Sequence, residues 1–347
     1  MLKRKIKVLI VDDSLITRNI LSAELSKDPF IEIVGTATDP YDARDKIIDL
    51  QPDVMTLDIE MPKMNGLEFL KKLMPQHPLP VVVVSSLTEE GSKYAIEALE
   101  RGAVDFVQKT DFNSNLNNMI LELITKIKIS SIANVSHWKK VNSSEKIIEK
   151  KLLKSNNKKI IVIGASTGGT EAIKKILINL PSNMPPIVIV QHMPPVFTKM
   201  FADNLNKKCN LQVDEAKSGD ELVSGRVFIA PGGYHIKVVE HENKFKLICT
   251  KGDKYNGHCP SIDIFFESVA KTIGKNAYGV LLTGMGKDGA KGLKTMRDSG
   301  ATNIVQDEES CVVFGMPKVA YDIGAAQYMV NLSEMSDFLI HEIEKSK

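Results

Sequence analysis

Residues 160–173 read IIVIGASTGGTEAI: a β-branched run drives into Ser166, and two glycines and a helix-like pattern follow. A lone hydroxyl on so tight a turn suits two chemistries. In a G-x-S-x-G setting the serine is a nucleophile on a strained strand-to-helix turn, with helix amides nearby to hold an oxyanion. A Gly-rich loop opening a helix also cradles phosphate, but here Thr170 and Glu171 follow the glycines where a P-loop carries lysine. Two further strand ends bear on the choice. IVIVQHMP puts His192 just past one apolar run, and LLTGMGKDGA puts Asp288 just past another. Parallel strands would bring Ser166, His192 and Asp288 to one sheet edge, with His192 as base and Asp288 fixing its tautomer. Plainer readings stay open. His192 could be a loop histidine, His235 after APGGY is its rival as base, and Asp288 could merely cap the next helix.

A second set lies in the first third of the chain. Asp12 and Asp13 end one apolar run, Asp58 ends another in VMTLDIEMP, and Ser85 and Lys109 end two more. Carboxylates gathered at the carboxyl ends of parallel strands raise one another's pKa unless a divalent cation is bound. Carboxylate oxygens suit Mg²⁺. The set fits phosphoryl chemistry, with Asp58 as nucleophile, Mg²⁺ on Asp13 and Lys109 neutralising phosphate oxygens. Taken singly, each acidic residue is as well read as a helix N-cap.

Such sets need a scaffold that aligns strand ends. Five strand-length apolar runs (KVLIVDD, EIVGTA, DVMTLD, PVVVVSS, VDFVQK) alternate with amphipathic stretches, which predicts a parallel sheet covered on both faces. The alternation resumes after Lys159 with IIVIG, PIVIVQH, RVFIAPGG, YGVLLTG and TNIVQD, interrupted by an antiparallel-looking pair, YHIKVVE and KFKLICT, expected to form a hairpin. Between the two halves, nine lysines face two glutamates from Lys126 to Lys158, in a Ser- and Asn-rich connector. The expected α/β organisation is therefore an N-terminal flavodoxin-like domain over 1–127, a linker over 128–157, and a second doubly wound, mainly parallel-sheet domain over 158–347.

At 347 residues, 43% hydrophobic and net charge +2, the chain holds two cores and gives no reason to expect nucleic acid or membrane insertion. Its N-terminal apolar run is only strand-length and meets two aspartates, unlike a signal peptide or a span. The four cysteines have no CxxC spacing and the histidines no HxxxH pattern, so free thiols and a cytoplasmic setting are expected.

Residues 5–125 resemble a response-regulator receiver domain, through the DD pair, LDIEMPKMNG, Ser85 and Lys109. The resemblance implies that Asp58 takes phosphate from a chemotaxis histidine kinase, that Mg²⁺ sits on Asp13 and Asp58 and mainly through water on Asp12, and that Ser85, Phe106 and Lys109 form the switch set. One departure is Thr110, where receivers usually carry proline after the lysine. Residues 158–345 resemble the catalytic domain of the chemotaxis protein-glutamate methylesterases, through GASTGGTEAI, QHMPPVFTKMFADNL, VFIAPGGYHIKV, PSIDIFFESVA, TGMGKDGAKGL and FGMPKVAYDIGA. The implied triad is Ser166, His192 and Asp288, with backbone amides near Thr167 and Met285 as oxyanion donors and no cofactor for the esterase.

The resemblance implies a phosphorylation-regulated serine hydrolase acting on γ-glutamyl methyl esters of chemoreceptor cytoplasmic domains, with deamidation of receptor glutamines as an associated activity. The receiver is expected to cover the Ser166 edge until Asp58 is phosphorylated, and Glu60 to tune phosphate lifetime. The rival readings are a DNA-binding output, for which no recognition helix is visible, and a non-catalytic nucleotide- or phosphate-binding module built on GASTGG.

Overall fold

Uniformly apolar runs of four to six residues, bounded by turn residues, become buried central strands throughout the chain. The structure, a computed structural model, describes residues 4–86, 89–109, 116–136, 138 and 159–345. Thr110, and most of the connector expected at 128–157, lie outside the described residues. The chain divides into two units, Met1–Ser143 and Ser144–Lys347.

The first unit alternates β1 (Ile6–Val11), α1 (Leu15–Leu25), β2 (Ile31–Ala37), α2 (Pro40–Leu50), β3 (Val54–Leu57), α3 (Gly66–Gln76), β4 (Val81–Ser85), α4 (Glu89–Glu100), β5 (Asp105–Gln108) and α5 (Leu116–Ser130). Its sheet is parallel, in the order β2-β1-β3-β4-β5. Strand order reverses beside β1, so the crevice opens at the carboxyl ends of β1 and β3, where Asp12 and Asp58 stand. Side chains start the helices locally. The Ser14 hydroxyl accepts from Thr17 N, the Asp39 carboxylate from Tyr41 N and Asp42 N, and the Asn65 amide oxygen from Glu68 N.

The second unit contains β6 (Ile160–Ala165), α6 (Gly169–Leu177), β7 (Ile187–Gln191), α7 (Phe197–Asn206), β8 (Gln212–Glu215), β9 (Arg226–Ile229), β10 (Tyr234–His241), β11 (Lys244–Lys251), α8 (Ile262–Thr272), β12 (Ala277–Leu281), α9 (Ala290–Asp298), β13 (Thr302–Gln306), α10 (Met316–Asp322), β14 (Tyr328–Val330) and α11 (Met335–Lys345). Seven strands form a parallel sheet, β14-β13-β12-β6-β7-β9-β8. The hairpin β10–β11 stands apart as an antiparallel pair, as its sequence predicts. The edge strands β8 and β14 went unforeseen; they are three or four residues long, β8 is largely polar (QVDE), and two of the three residues of β14 (YMV) are exposed.

The strand order again reverses beside β6, which lies between β7 and β12. Helix α8 matters most for what stands there. Phe265, Phe266 and Val269 are fully buried in the main core cluster, each contributing about 1.5–3 kcal/mol of apolar burial. That anchorage fixes the N-terminus of α8 against the carboxyl edge of the sheet.

Candidate active site and phosphoacceptor pocket

The two glycines after Ser166 are explained by contact. Gly168 has φ +78°, and a Cβ there would meet Val312 at 2.6 Å; at Gly169 it would lie 2.2 Å from Gln191 Oε1. Only glycine lets the chain turn so tightly out of β6. Ser166 N donates to Thr283 O at 3.0 Å, and Gly169 N donates to Ser166 O at 2.7 Å, opening α6. Gly284 packs so close that a Cβ on it would lie 2.7 Å from Ser166 Cβ. Buried Thr167 and half-exposed Met285 flank these two positions. The Thr283 hydroxyl ties them by donating to Thr167 O at 3.0 Å.

Parallel register delivers the histidine. Ala165 pairs with Gln191 across β6 and β7, so Ser166 and His192 are the next residues along two adjacent strands. His192 N donates to Ala165 O, and the Gln191 amide donates to Ser166 O (2.9 Å) and His192 O (3.3 Å). The His192 ring is buried, with Nε2 2.9 Å from Asp288 Oδ2. Its Nδ1 is buried without a hydrogen-bond partner among the described residues. If Nε2 carries the proton shared with the carboxylate, Nδ1 is left as a basic lone pair. His235 differs. Its Nδ1 accepts from Ser261 N at 3.2 Å and its Nε2 lies 2.8 Å from Asp253 O, so both ring nitrogens are engaged.

Asp288 is held by more than the histidine. Its carboxylate accepts from the Ser261 hydroxyl (2.9 Å), Ile262 N (2.8 Å), Asp263 N (3.2 Å) and the Asn256 amide (3.3 Å). The α8 N-terminus thus grips an anion, a favourable use of free helix amides. Burial alone would raise the Asp288 pKa; the hydrogen bond and charge of His192, then Ile262 N and Ser261, reverse this and hold it well below the usual carboxylate range. Neighbouring Asp263 goes the other way, pushed up to about 6 by burial against the partial relief of Gly292 N. Sequence reasoning missed Asn256 and His258. The His258 ring stacks on His192, centroids 3.6 Å apart and planes 6° from parallel.

In the first unit, Asp12, Asp13 and Asp58 present oxygens within 4.8 Å of one another. Lys109 Nζ lies 2.6 Å from Asp58 Oδ2 and 2.9 Å from Asp12 Oδ2. Burial pushes the Asp58 pKa up to about 6, although the Lys109 charge and hydrogen bond oppose it and the Asp12 charge adds to it. Three clustered carboxylates and one lysine form a hard-oxygen donor set with excess negative charge, which fits a divalent cation such as Mg²⁺. The Ser85 hydroxyl, expected at the rim, donates to Gly91 O at 3.0 Å. Phe106 is buried beneath the Lys126 ammonium, 5.0 Å from its ring centre. Glu60 N lies 3.3 Å from Asp58 Oδ1, and the Glu60 carboxylate accepts from the Ser86 hydroxyl at 3.3 Å.

No helix among the described residues is long and apolar enough to cross a membrane. The CheB methylesterase family model matches residues 161–339, and the response regulator receiver domain model matches residues 8–121. The chain is 54% identical to a protein-glutamate methylesterase/protein-glutamine glutaminase of Syntrophotalea carbinolica, over 97% of both chains. It is 50% identical to a protein of the same name, numbered 2, from Syntrophomonas wolfei, over 94% of this chain and 95% of that one. The crystal structure of the Thermotoga maritima CheB methylesterase catalytic domain matches with 42% identity and a TM-score of 0.53, covering 54% of this chain and all of that one. These relatives give no support to the alternative of a non-catalytic binding module. The chain belongs to the CheB methylesterase family, with a response regulator receiver domain preceding the methylesterase domain.

Proposed function

We propose that this protein is a protein-glutamate methylesterase that hydrolyses γ-glutamyl methyl esters on chemoreceptor cytoplasmic domains and deamidates receptor glutamines. The observation that carries this reading is His192: one ring nitrogen bound to a firmly ionised Asp288, the other buried and free, on the strand beside the Ser166 turn. His192 Nδ1 takes the Ser166 hydroxyl proton as Oγ attacks the ester carbonyl carbon. Asp288 stabilises the imidazolium through Nε2. The oxyanion is held by backbone amides near Thr167 and Met285, on the turn and on the segment packed against it. The tetrahedral adduct collapses, and methoxide leaves with the proton from His192 as methanol. Water then attacks the acyl-serine with His192 again as base, releasing the glutamate and free Ser166. With a glutamine substrate, ammonia leaves in place of methanol.

Asp58 is the phosphoacceptor, taking a phosphoryl group from the phosphohistidine of a chemotaxis histidine kinase. Asp12, Asp13 and Asp58 would hold Mg²⁺, which supplies charge neutralisation for the transferring phosphoryl group. Lys109, already against Asp58, faces the oxygens that transfer brings in. Phosphorylation raises the esterase activity of the second unit. The boundaries that go with this reading are a receiver over 1–127, a linker over 128–157 and the esterase over 158–347. The test is methanol release from methylated receptor membranes with and without Mg²⁺ and a small phosphodonor. Release that rises with the phosphodonor and vanishes in Ser166→Ala is expected; undiminished release from Ser166→Ala would sink the reading.

A further inference from the structure

The stacked histidine and the Asn256 amide arrive on one tight turn. Tyr255 N donates to His258 O and His258 N to Tyr255 O, both at 3.0 Å, which closes a two-residue hairpin turn. Its central residues, Asn256 and Gly257, have φ +52° and +86°, the conformation that an Asn-Gly pair adopts with little strain. Nothing lies within 4 Å of a Cβ built on Gly257, so the glycine serves the backbone rather than packing. From this turn the Asn256 amide donates to Asp263 Oδ2 at 2.9 Å and to Asp288 Oδ1 at 3.3 Å. It therefore bridges two buried carboxylates that repel each other. Two residues on, His258 lays its ring flat on the base.

We propose that the 255–258 turn positions the catalytic base, with Asn256 steadying the Asp288 carboxylate and the His258 ring fixing the plane of the His192 imidazole. The inference rests on the esterase reading above. A ring anchored only through Nε2 can tilt about that hydrogen bond, and a tilt moves Nδ1 off the serine proton. A flat partner at 3.6 Å blocks the tilt and excludes water from that face. The charge created when His192 takes the proton then lies against a neutral π face, a favourable arrangement. His258 stays neutral for this role. Burial first, and then His192, push its pKa down to about 4, with Lys254 acting the same way and Asp288 opposing. Asn256 and His258 are positioning residues, since neither is needed to touch the substrate.

The test uses the full chain and two readouts: the rate at which a fluorophosphonate labels Ser166, and kcat and KM for methanol release from methylated receptor membranes. His258→Ala is expected to slow labelling about tenfold and to lower kcat in step, with KM within about twofold. His258→Phe keeps a flat ring and should recover to within about threefold of wild type, with the pH profile above pH 6 unchanged. Asn256→Gly keeps the left-handed backbone and removes the amide, and should slow labelling about threefold. It also carries the test if His258→Ala fails to fold. His258→Ala at wild-type rate, or His258→Phe as slow as His258→Ala, would overturn the proposal. A wild-type Ser166 that resists labelling altogether would overturn the esterase reading along with it.

Discussion

The molecule holds two carboxylate sites at the carboxyl edges of two parallel sheets, and they solve the same electrostatic problem in opposite ways. Asp288 is surrounded by donors: His192, Ser261, Asn256 and two amides of α8. Its pKa is driven down, and the site carries its own compensation. Asp58 is buried beside Asp12 with Lys109 as its main relief, and its pKa is pushed up to about 6. The proposed esterase site already holds its donors in place, which suits a reaction that its own residues complete. The acidic pocket is left short of positive charge, which suits a site whose chemistry requires a cation and a phosphoryl group from outside.

The largest expected effect breaks the compensated site. Asp288→Asn keeps the shape but removes the charge that favours Nε2–H and stabilises the imidazolium. By analogy with the aspartate-to-asparagine change in serine-protease triads, kcat should fall on the order of 10⁴-fold. Methanol release and fluorophosphonate labelling should fall together. A loss below about tenfold would mean that His192 does not depend on Asp288, and the contrast between the two sites would lose its meaning.

The uncompensated site should fail differently. Asp58→Asn should leave basal methanol release within about twofold of wild type and abolish its rise with a phosphodonor, and chelating Mg²⁺ in the wild type should do the same. Stimulation that survives either change would remove Asp58 or the cation from the regulatory reading. A smaller effect is expected at Glu60, which stands between Asp58 and Ser86. Glu60→Gln should change the lifetime of phosphorylated Asp58 by about two- to fivefold, read as loss of ³²P from the protein, because it removes a charge near the phosphate. An unchanged lifetime would leave Glu60 without that role.

Both sites were legible in the sequence to the extent that strand ends were. Ser166, His192, Asp12 and Asp58 each follow an apolar run, and parallel strands carry run-ends to a common edge. The structure gathers them there. What the sequence left open was decided by long-range neighbours. His235 stayed a rival to His192 as base until Ser261 and Asp253 were seen to take up both of its nitrogens. Ser85 ends β4 as expected, and that its hydroxyl donates to a carbonyl of α4 was likewise not readable from the sequence. Asn256 and His258 were missed although the Asn-Gly pair announces a turn, because no local pattern says which side chains a turn will deliver, or where. Edge strand β8 was missed because a strand with one exposed edge needs no continuous apolar run, and β14 because three residues are too few to show a period.

The contrast extends to pH, and it sharpens within the esterase unit. Asp263 lies next to Asp288, shares the Asn256 amide with it, and has its pKa pushed up to about 6 from an ordinary value of 3.8. Between those two pH values the folded chain keeps a proton on Asp263 that the unfolded chain has released. Raising pH through that window therefore costs stability at this group, and above pH 6 the loss is complete. Asp288 has the opposite sign, because its stabilisation is present above the unfolded pKa and is lost as pH falls below it. Thermal unfolding of Asp263→Asn should accordingly gain on wild type between pH 4 and pH 7, with about 2–4 °C in Tm for each kcal/mol regained. The informative quantity is the change in the Tm difference with pH, since asparagine retains an acceptor for Gly292 N but sets an amide against Asn256 at every pH. A Tm difference that stays flat from pH 4 to 7 would mean that Asp263 is as well compensated as Asp288, and that burial beside the triad carries no electrostatic cost.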